Sequence, residues 1–240
     1  EIHMGHGYLL SQFLSPLYNK RRDSHGGPVD NRARFPAMVL RRVLDAVGGE
    51  MAVICKYSVT DGARGGNTAE DGAAIARILE REGAHLLVLS AGLNVESITT
   101  MFGSSFPKEN RPKPANPVVA IGMAIQQFTE QKNVKFRELY SLDHARAVRC
   151  AVKMPLAYLG GVQSRVAADR IMGEGFEAIA LGRALIFDPG FVGKLAAGAI
   201  ETSGCTACNL CTAMMYTPGG TACVLQAPAD IELNSQPAAA

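Results

Sequence analysis

The chain opens Glu-Ile-His-Met-Gly-His-Gly-Tyr, which puts two imidazoles, His3 and His6, next to a phenol, Tyr8. Two imidazoles can donate hydrogen bonds to one carbonyl oxygen and draw electrons out of a conjugated C=C bond, while a neighbouring phenol supplies a proton. The same pair in a glycine-rich loop also suits a hydrogen-bonded surface pair or half of a metal site, and the spacing leaves these readings open. Lys56, in Val-Ile-Cys-Lys-Tyr-Ser, is either a rim charge or a cation aimed at a bound anion.

Two glycine-ended segments follow, Gly160-Gly161 and Gly182-Arg183. Backbone amides freed by glycine, the start of a short helix and an arginine make the phosphate site that α/β barrels build after their last two strands. Further on, Cys205, Cys208 and Cys211 are spaced as C-x2-C-x2-C and Cys223 follows them. Four thiolates suit a [4Fe-4S] cluster or a structural zinc, and unmetallated thiols are the third option. Cys55 and Cys150 sit alone in apolar surroundings and are expected to be packed core thiols.

Short apolar runs alternate with helical patterns from residue 50 onward, the signature of βα units on a parallel sheet. Strands are expected at Met51 to Ser58, His85 to Gly92, Pro155 to Gly161 and Glu177 to Ile186, each nearly all apolar, as a strand buried on both faces should be. Residues 1 to 3 read as the end of another strand. Helices are expected over Asn31 to Val47, from Thr68 to about Arg81 with Asp71 completing the cap, over Arg137 to Val152, and from Ser164 to Gly173 or Gly175. The connection from Val95 to Lys135 is long, proline-rich at Pro107 to Pro117, with a short helix expected at Ala120 to Gln131. A frayed tail is expected after Ala227. His3, His6, Tyr8, Lys56 and both glycine segments then all fall at the carboxyl ends of strands, where barrels keep their reacting groups.

Composition narrows the function. Of 240 residues 48% are hydrophobic, enough for one sizeable core, and 24 basic against 22 acidic residues leave a net charge of +2 without a basic run to grip nucleic acid. The apolar runs are far shorter than the roughly 20 residues that span a bilayer, so no membrane partner is expected. With no export signal recognised and the cysteines clustered rather than laddered, a cytoplasmic protein is expected.

The opening segment continues Ser11-Gln-Phe-Leu-Ser-Pro-Leu-Tyr-Asn19, Arg22-Asp23, Gly26-Gly27 and Asn31-Arg-Ala-Arg34-Phe35. This block resembles the signature of the old yellow enzyme superfamily, most closely its NADH:flavin oxidoreductases and ene reductases, and the resemblance runs to about residue 225. His25 and Pro28 stand where the family usually has Tyr or Phe and Ser. The resemblance implies a (β/α)8 barrel of α/β class, of which the C-terminal half is present, from the end of strand four to strand eight. It implies a division into a barrel half over 1–200 and a cysteine-rich tail over 201–240.

It also implies FMN as cofactor and NAD(P)H as reductant. His3 and His6 would hold the substrate carbonyl and Tyr8 would donate the proton. Lys56 would face the pyrimidine side of the flavin, and Gly160, Gly161, Gly182 and Arg183 would bind its phosphate. Ala91 and Gly92 would lie nearby. The spacing of Cys205, Cys208, Cys211 and Cys223 is similar to that of the cluster-bearing amine dehydrogenases and dienoyl-CoA reductases of the superfamily. The expected activity is hydride transfer from NAD(P)H through flavin to the C=C bond of an α,β-unsaturated carbonyl compound. The alternatives are a cluster-linked dienoyl-CoA reductase or amine dehydrogenase, and a non-catalytic barrel fragment. The expected partners are a small-molecule substrate and the N-terminal half of the barrel, with homo-oligomer formation left open.

Overall fold

The computed structural model describes residues 1–106, 117, 121, 134–214 and 220–226. Five strands, β1 (Ile2–Met4), β2 (Ile54–Ser58), β3 (Leu86–Ser90), β4 (Leu156–Tyr158) and β5 (Ala178–Ile179), pair in parallel in chain order. Each strand needs a crossover to return parallel to its predecessor, and helices supply most of it. The helices are α1 (Leu9–Leu14), α2 (Val29–Val47), α3 (Ala69–Arg81), α4 (Ile98–Phe102), α5 (Leu142–Arg149), α6 (Arg165–Gly173), α7 (Arg183–Phe187), α8 (Phe191–Ala196) and α9 (Leu210–Ala213). None of these is long and apolar enough to cross a membrane.

The central strands β3 and β4 are buried on both faces, as their apolar residues require, while β1, β2 and β5 keep partly exposed positions. Tyr57, Leu87, Leu89, Leu156 and Tyr158 are fully buried and pack with Leu40 of α2, Ile75 and Leu79 of α3, Val148 of α5 and Ile171 of α6. Each large side chain withdrawn from water in this way contributes about 1.5–3 kcal/mol. Helix α3 starts at a capping box in which the Thr68 hydroxyl accepts from the Asp71 N–H and the Asp71 carboxylate accepts from the Thr68 N–H. Pro28 occupies the N-cap of α2 at φ −56°, so the family departure there falls where a fixed backbone angle favours helix entry.

Arg32, inside the signature block, is buried. Its guanidinium donates to the carbonyls of Leu14 (2.7 Å) and Gly27 (2.6 Å) and to Asn67 Oδ1 (3.0 Å). It thus fastens the α1–α2 loop to the loop after β2, and its part is structural.

Four expectations are corrected. The strand expected over Glu177 to Ile186 ends at Ile179, and Arg183 to Ile186 belong to α7, because a short apolar run fits a strand or a helix equally well until packing decides. The helix expected from Arg137 begins at Leu142: Leu139 is left-handed at φ +58°, and Glu138 is drawn away to the Gln163 N–H (2.6 Å) and the Ser164 hydroxyl (2.8 Å). Met51 and Ala52 are exposed and outside β2. Cys150 is exposed at the C-cap of α5, off the stripe of Leu142, Ala145 and Val148, whereas Cys55 is buried as expected. The Pro107 to Pro117 stretch, the helix expected at Ala120 to Gln131 and the tail after Ala227 fall, but for Pro117 and Ile121, outside the described residues.

Candidate active site

The strand ends bring the chemistry together. Residue His6 follows β1 with a left-handed backbone, φ +63°, a conformation uncommon outside glycine. Its own hydrogen bonds hold it there: the N–H donates to Ser58 Oγ (3.1 Å), the carbonyl accepts from Asn94 N (3.2 Å), and Nε2 meets Ser90 Oγ at 2.7 Å. Ser58 and Ser90 are register partners at the last positions of β2 and β3, and Ser58 in turn donates to the Gly92 carbonyl (3.0 Å). The next residue, Gly7, also has positive φ, and the two left-handed residues turn the chain so that Tyr8 begins α1 on the same rim.

The ring of His3 lies 5.0 Å from that of His6 and 5.3 Å from that of Tyr8, and His3 is the register partner of Lys56 on β2. Burial, reinforced by the Lys56 charge and then by His3, lowers the His6 pKa to about 3. His3 is lowered by the same first two causes. Both imidazoles are thereby held neutral near pH 7. If Ser90 is the donor to His6 Nε2, the His6 ring carries its proton on Nδ1.

The opposite rim is built by β4 and β5. Gly160 packs so closely that a Cβ would stand 1.9 Å from Ser141 Oγ, and Gly161 has φ +78° with Tyr140 and Phe136 against it. Gly182 differs: a Cβ there would meet nothing within 4 Å, so protein packing does not demand this glycine. Arg183, at the start of α7, donates from Nη1 to Asn209 Oδ1 (2.6 Å) and Ser104 Oγ (3.2 Å) and from Nη2 to the Phe102 carbonyl (2.6 Å). Its guanidinium lies between the Phe102 and Phe136 rings, 5.6 and 5.5 Å from their centroids.

Between the rims is a cavity of about 360 Å³, within the range of small-molecule and cofactor sites. Lys56, Tyr8 and His6 line one side and Gly160, Gly161, Gly182 and Arg183 the other. His3 does not line it, although its ring neighbours those of His6 and Tyr8. Ala91 lines a different crevice, and Gly92 lies against the backbone of α4.

Cys205, Cys208, Cys211 and Cys223 all line a second, very small cavity, with Arg183 in its wall as well as in the wall of the first. Burial raises the thiol pKa of Cys205 and Cys211, and Arg183 works against it. Among the described residues no three His, Cys, Asp or Glu side chains stand gathered as ligands around one point. Four thiols facing one space fit a thiolate-binding group by donor type, and they would have to close further to hold it.

Several wall and support residues escape sequence reasoning: Ser58, Ser90, Asn94, Tyr140 and Gln163. The two serines carried a signal, a hydroxyl ending an otherwise apolar strand. Tyr140 and Gln163 carried none, since loop positions have no periodicity to read.

Residues 1–123 match the NADH:flavin oxidoreductase / NADH oxidase family. The 4,4'-dithiodibutanoate disulfide reductase of Rhodococcus erythropolis is 36% identical over 228 residues, which cover 94% of this chain and 56% of that protein. Among solved structures, 2-naphthoyl-CoA reductase in complex with 2-naphthoyl-CoA is 26% identical with a TM-score of 0.62, covering 86% of this chain and 27% of that one. The old yellow enzyme homologue of Zymomonas mobilis superposes with a TM-score of 0.53 at 21% identity, over 84% of this chain and 47% of that one, a likeness of fold. The chain therefore spans about half the length of the curated relative, and the five parallel strands form part of the (β/α)8 barrel. With its fold and half its length matched in this way, the chain belongs to the NADH:flavin oxidoreductase / NADH oxidase family.

Proposed function

We propose that the chain is the phosphate-binding, proton-donating half of an NAD(P)H-dependent flavin oxidoreductase that reduces the C=C bond of an α,β-unsaturated carbonyl compound. One observation carries this reading: a cation, a phenol and a neutral imidazole line one side of the same cavity whose other side is glycine-rich and ends in Arg183. The cavity fits FMN by chemistry. Gly182 leaves open room where a side chain would intrude, and the first-turn amides of α7 lack intrahelical acceptors. Gly160, Gly161, Gly182 and Arg183 would hold the phosphate, and Lys56 would set positive charge beside the ring. When bound, FMN supplies the two-electron relay between the nucleotide and the alkene β-carbon.

His6 would hold the carbonyl oxygen as a neutral donor, and His3, whose ring neighbours it, would join it once substrate is present. Tyr8 would give its hydroxyl proton to the α-carbon and recover one from water, to which it is open at 56% exposure. The test uses the full-length protein. Flavin absorbance and NADH-dependent reduction of 2-cyclohexenone are expected. A protein that purifies without flavin and takes up none overturns the reading. Since the 36%-identical relative is named for a disulfide substrate, 4,4'-dithiodibutanoate belongs in the same assay, and its turnover in place of the enone would replace the alkene.

The four cysteines that share Arg183 with the flavin cavity favour a second reading, in which a [4Fe-4S] cluster held by Cys205, Cys208, Cys211 and Cys223 passes single electrons to or from the flavin. Iron and acid-labile sulfide in anaerobically purified protein test it, and their absence removes it.

A further inference from the structure

A third crevice, about 220 Å³, opens beside the flavin cavity and is separated from it by Tyr140, which lines both. Among the described residues its wall carries Lys135, Arg137 and His144 and no carboxylate. In a chain whose charges nearly cancel, three basic side chains on one wall are a local excess.

The neighbouring acids are occupied elsewhere. Glu138 is bound by Gln163 and Ser164, and Asp143 accepts from Arg146 Nη1 at 3.0 Å, while Lys135 and Arg137 make no ion pair among the described residues. Glu70, at the start of α3, is within electrostatic reach of His144 but is not on the wall. Thr99 also lines the crevice. It is 5% exposed, and its hydroxyl has no hydrogen-bond partner among the described residues, an arrangement that costs about 1–3 kcal/mol if left unmet. The crevice further takes in Ser141, the N-cap of α5, whose first amide, Leu142 N–H, is taken by the Leu139 carbonyl (3.0 Å).

Two exposed cations, Lys135 and Arg137, with an imidazole and a buried unpartnered hydroxyl on the same wall, make a donor set suited to a phosphate or pyrophosphate group. We propose that this crevice is an anion subsite for the phosphate or pyrophosphate of a small molecule whose other end reaches the flavin cavity past Tyr140. The reach rests on the oxidoreductase reading above, whereas the anion binding does not. Two molecules of that chemistry are a pyridine nucleotide reductant and a coenzyme A thioester substrate.

The experiment is calorimetric titration of the full-length protein with inorganic pyrophosphate at low ionic strength, comparing the parent with Lys135→Ala/Arg137→Ala and with Thr99→Val. Both cationic side chains are exposed, so the double variant should fold and keep its flavin. The parent should bind, the double variant at least tenfold more weakly, and Thr99→Val severalfold more weakly. A parent that does not bind pyrophosphate, or a double variant that binds it equally well, overturns the site. Protein that binds pyrophosphate but holds no flavin rejects the oxidoreductase reading and leaves the anion site standing. In turnover, a raised KM for NADH alone assigns the group to the nucleotide, and a raised KM for an enoyl-CoA thioester alone assigns it to the substrate. If neither rises, the reach into the flavin cavity is overturned.

Discussion

Arg183 donates to Asn209 Oδ1 at 2.6 Å, joining the last βα unit of the sheet to the middle of the Cys205–Cys211 segment. Asn209 is 1% exposed and left-handed at φ +63°, and its Nδ2 donates to Ser104 Oγ at 2.9 Å. The pair is thus a clasp between the flavin cavity and the cysteine cavity. Asn209→Ala should cost about 1–3 kcal/mol by leaving buried groups unpaired, read as a lower urea midpoint with faster thiol labelling of Cys211. If Arg183 also reaches the FMN phosphate, Arg183→Ala should weaken FMN binding ten- to a hundredfold, as a lost charge-assisted contact of about 1.5–3 kcal/mol implies. Equal FMN affinities for Arg183→Ala and Asn209→Ala would show that the arginine acts through the clasp alone.

The two glycine rims separate packing from ligand space. Gly160→Ala forces a Cβ to 1.9 Å from Ser141 Oγ and 2.5 Å from the Tyr158 hydroxyl, both buried, and should lower stability by about 1–3 kcal/mol with or without flavin. Gly182→Ala meets nothing within 4 Å and should leave the apoprotein's thermal midpoint unchanged while weakening FMN binding. An unchanged FMN affinity in the Gly182 variant would reject that residue's place at the phosphate.

Acid should destabilise the fold through His6. Its folded pKa, about 3, lies below the unfolded value of 6.5, so the unfolded chain binds the proton more readily. The neutral site is fully retained above about pH 6.5, and stability falls as pH drops from there toward 3, with a slope of up to about 1.4 kcal/mol per pH unit. Urea midpoints at pH 7.5 and 5 compared between the parent and His6→Gln check this, since the variant should lose part of the difference.

Tyr8→Phe should fold normally, because the residue is exposed and its hydroxyl makes no hydrogen bond among the described residues. Loss of a positioned proton donor should lower enone reduction by about 10²- to 10⁴-fold while NADH still reduces the flavin. Enone turnover at the parent rate would remove Tyr8 from the proton transfer.

Much of the fold was legible because burial on both faces leaves a mark in composition. Leu86 to Leu89 is an unbroken apolar run and Ile54 to Ser58 is interrupted only by Lys56 before its closing serine, and Thr68 with Asp71 announces α3 by a local hydrogen-bond pattern that needs no tertiary contact. The run Ala184 to Ile186, expected in a strand, lies in a helix because three apolar residues carry no period. Cys150 is exposed because it falls off the buried stripe of Leu142, Ala145 and Val148, although the residues that follow it, Ala151 and Val152, are apolar.

By itself the sequence determined the parallel βα order, the signature block of residues 1–35 and the residue types at the strand ends, His3, His6, Tyr8, Lys56, Gly160, Gly161, Gly182 and Arg183. These follow from periodicity, capping and motif, which are properties of neighbouring residues. Tertiary structure alone decided that His6 is pinned by Ser58, Asn94 and Ser90 and kept neutral, and that it lines the cavity while His3 does not. It alone decided that Arg183 is shared between two cavities and that Thr99, Lys135 and Arg137 meet at a third. The serine contacts of His6 reach 52 and 84 positions along the chain and the Arg183–Asn209 contact 26, and their energies depend on desolvation and distance, which a linear pattern does not contain.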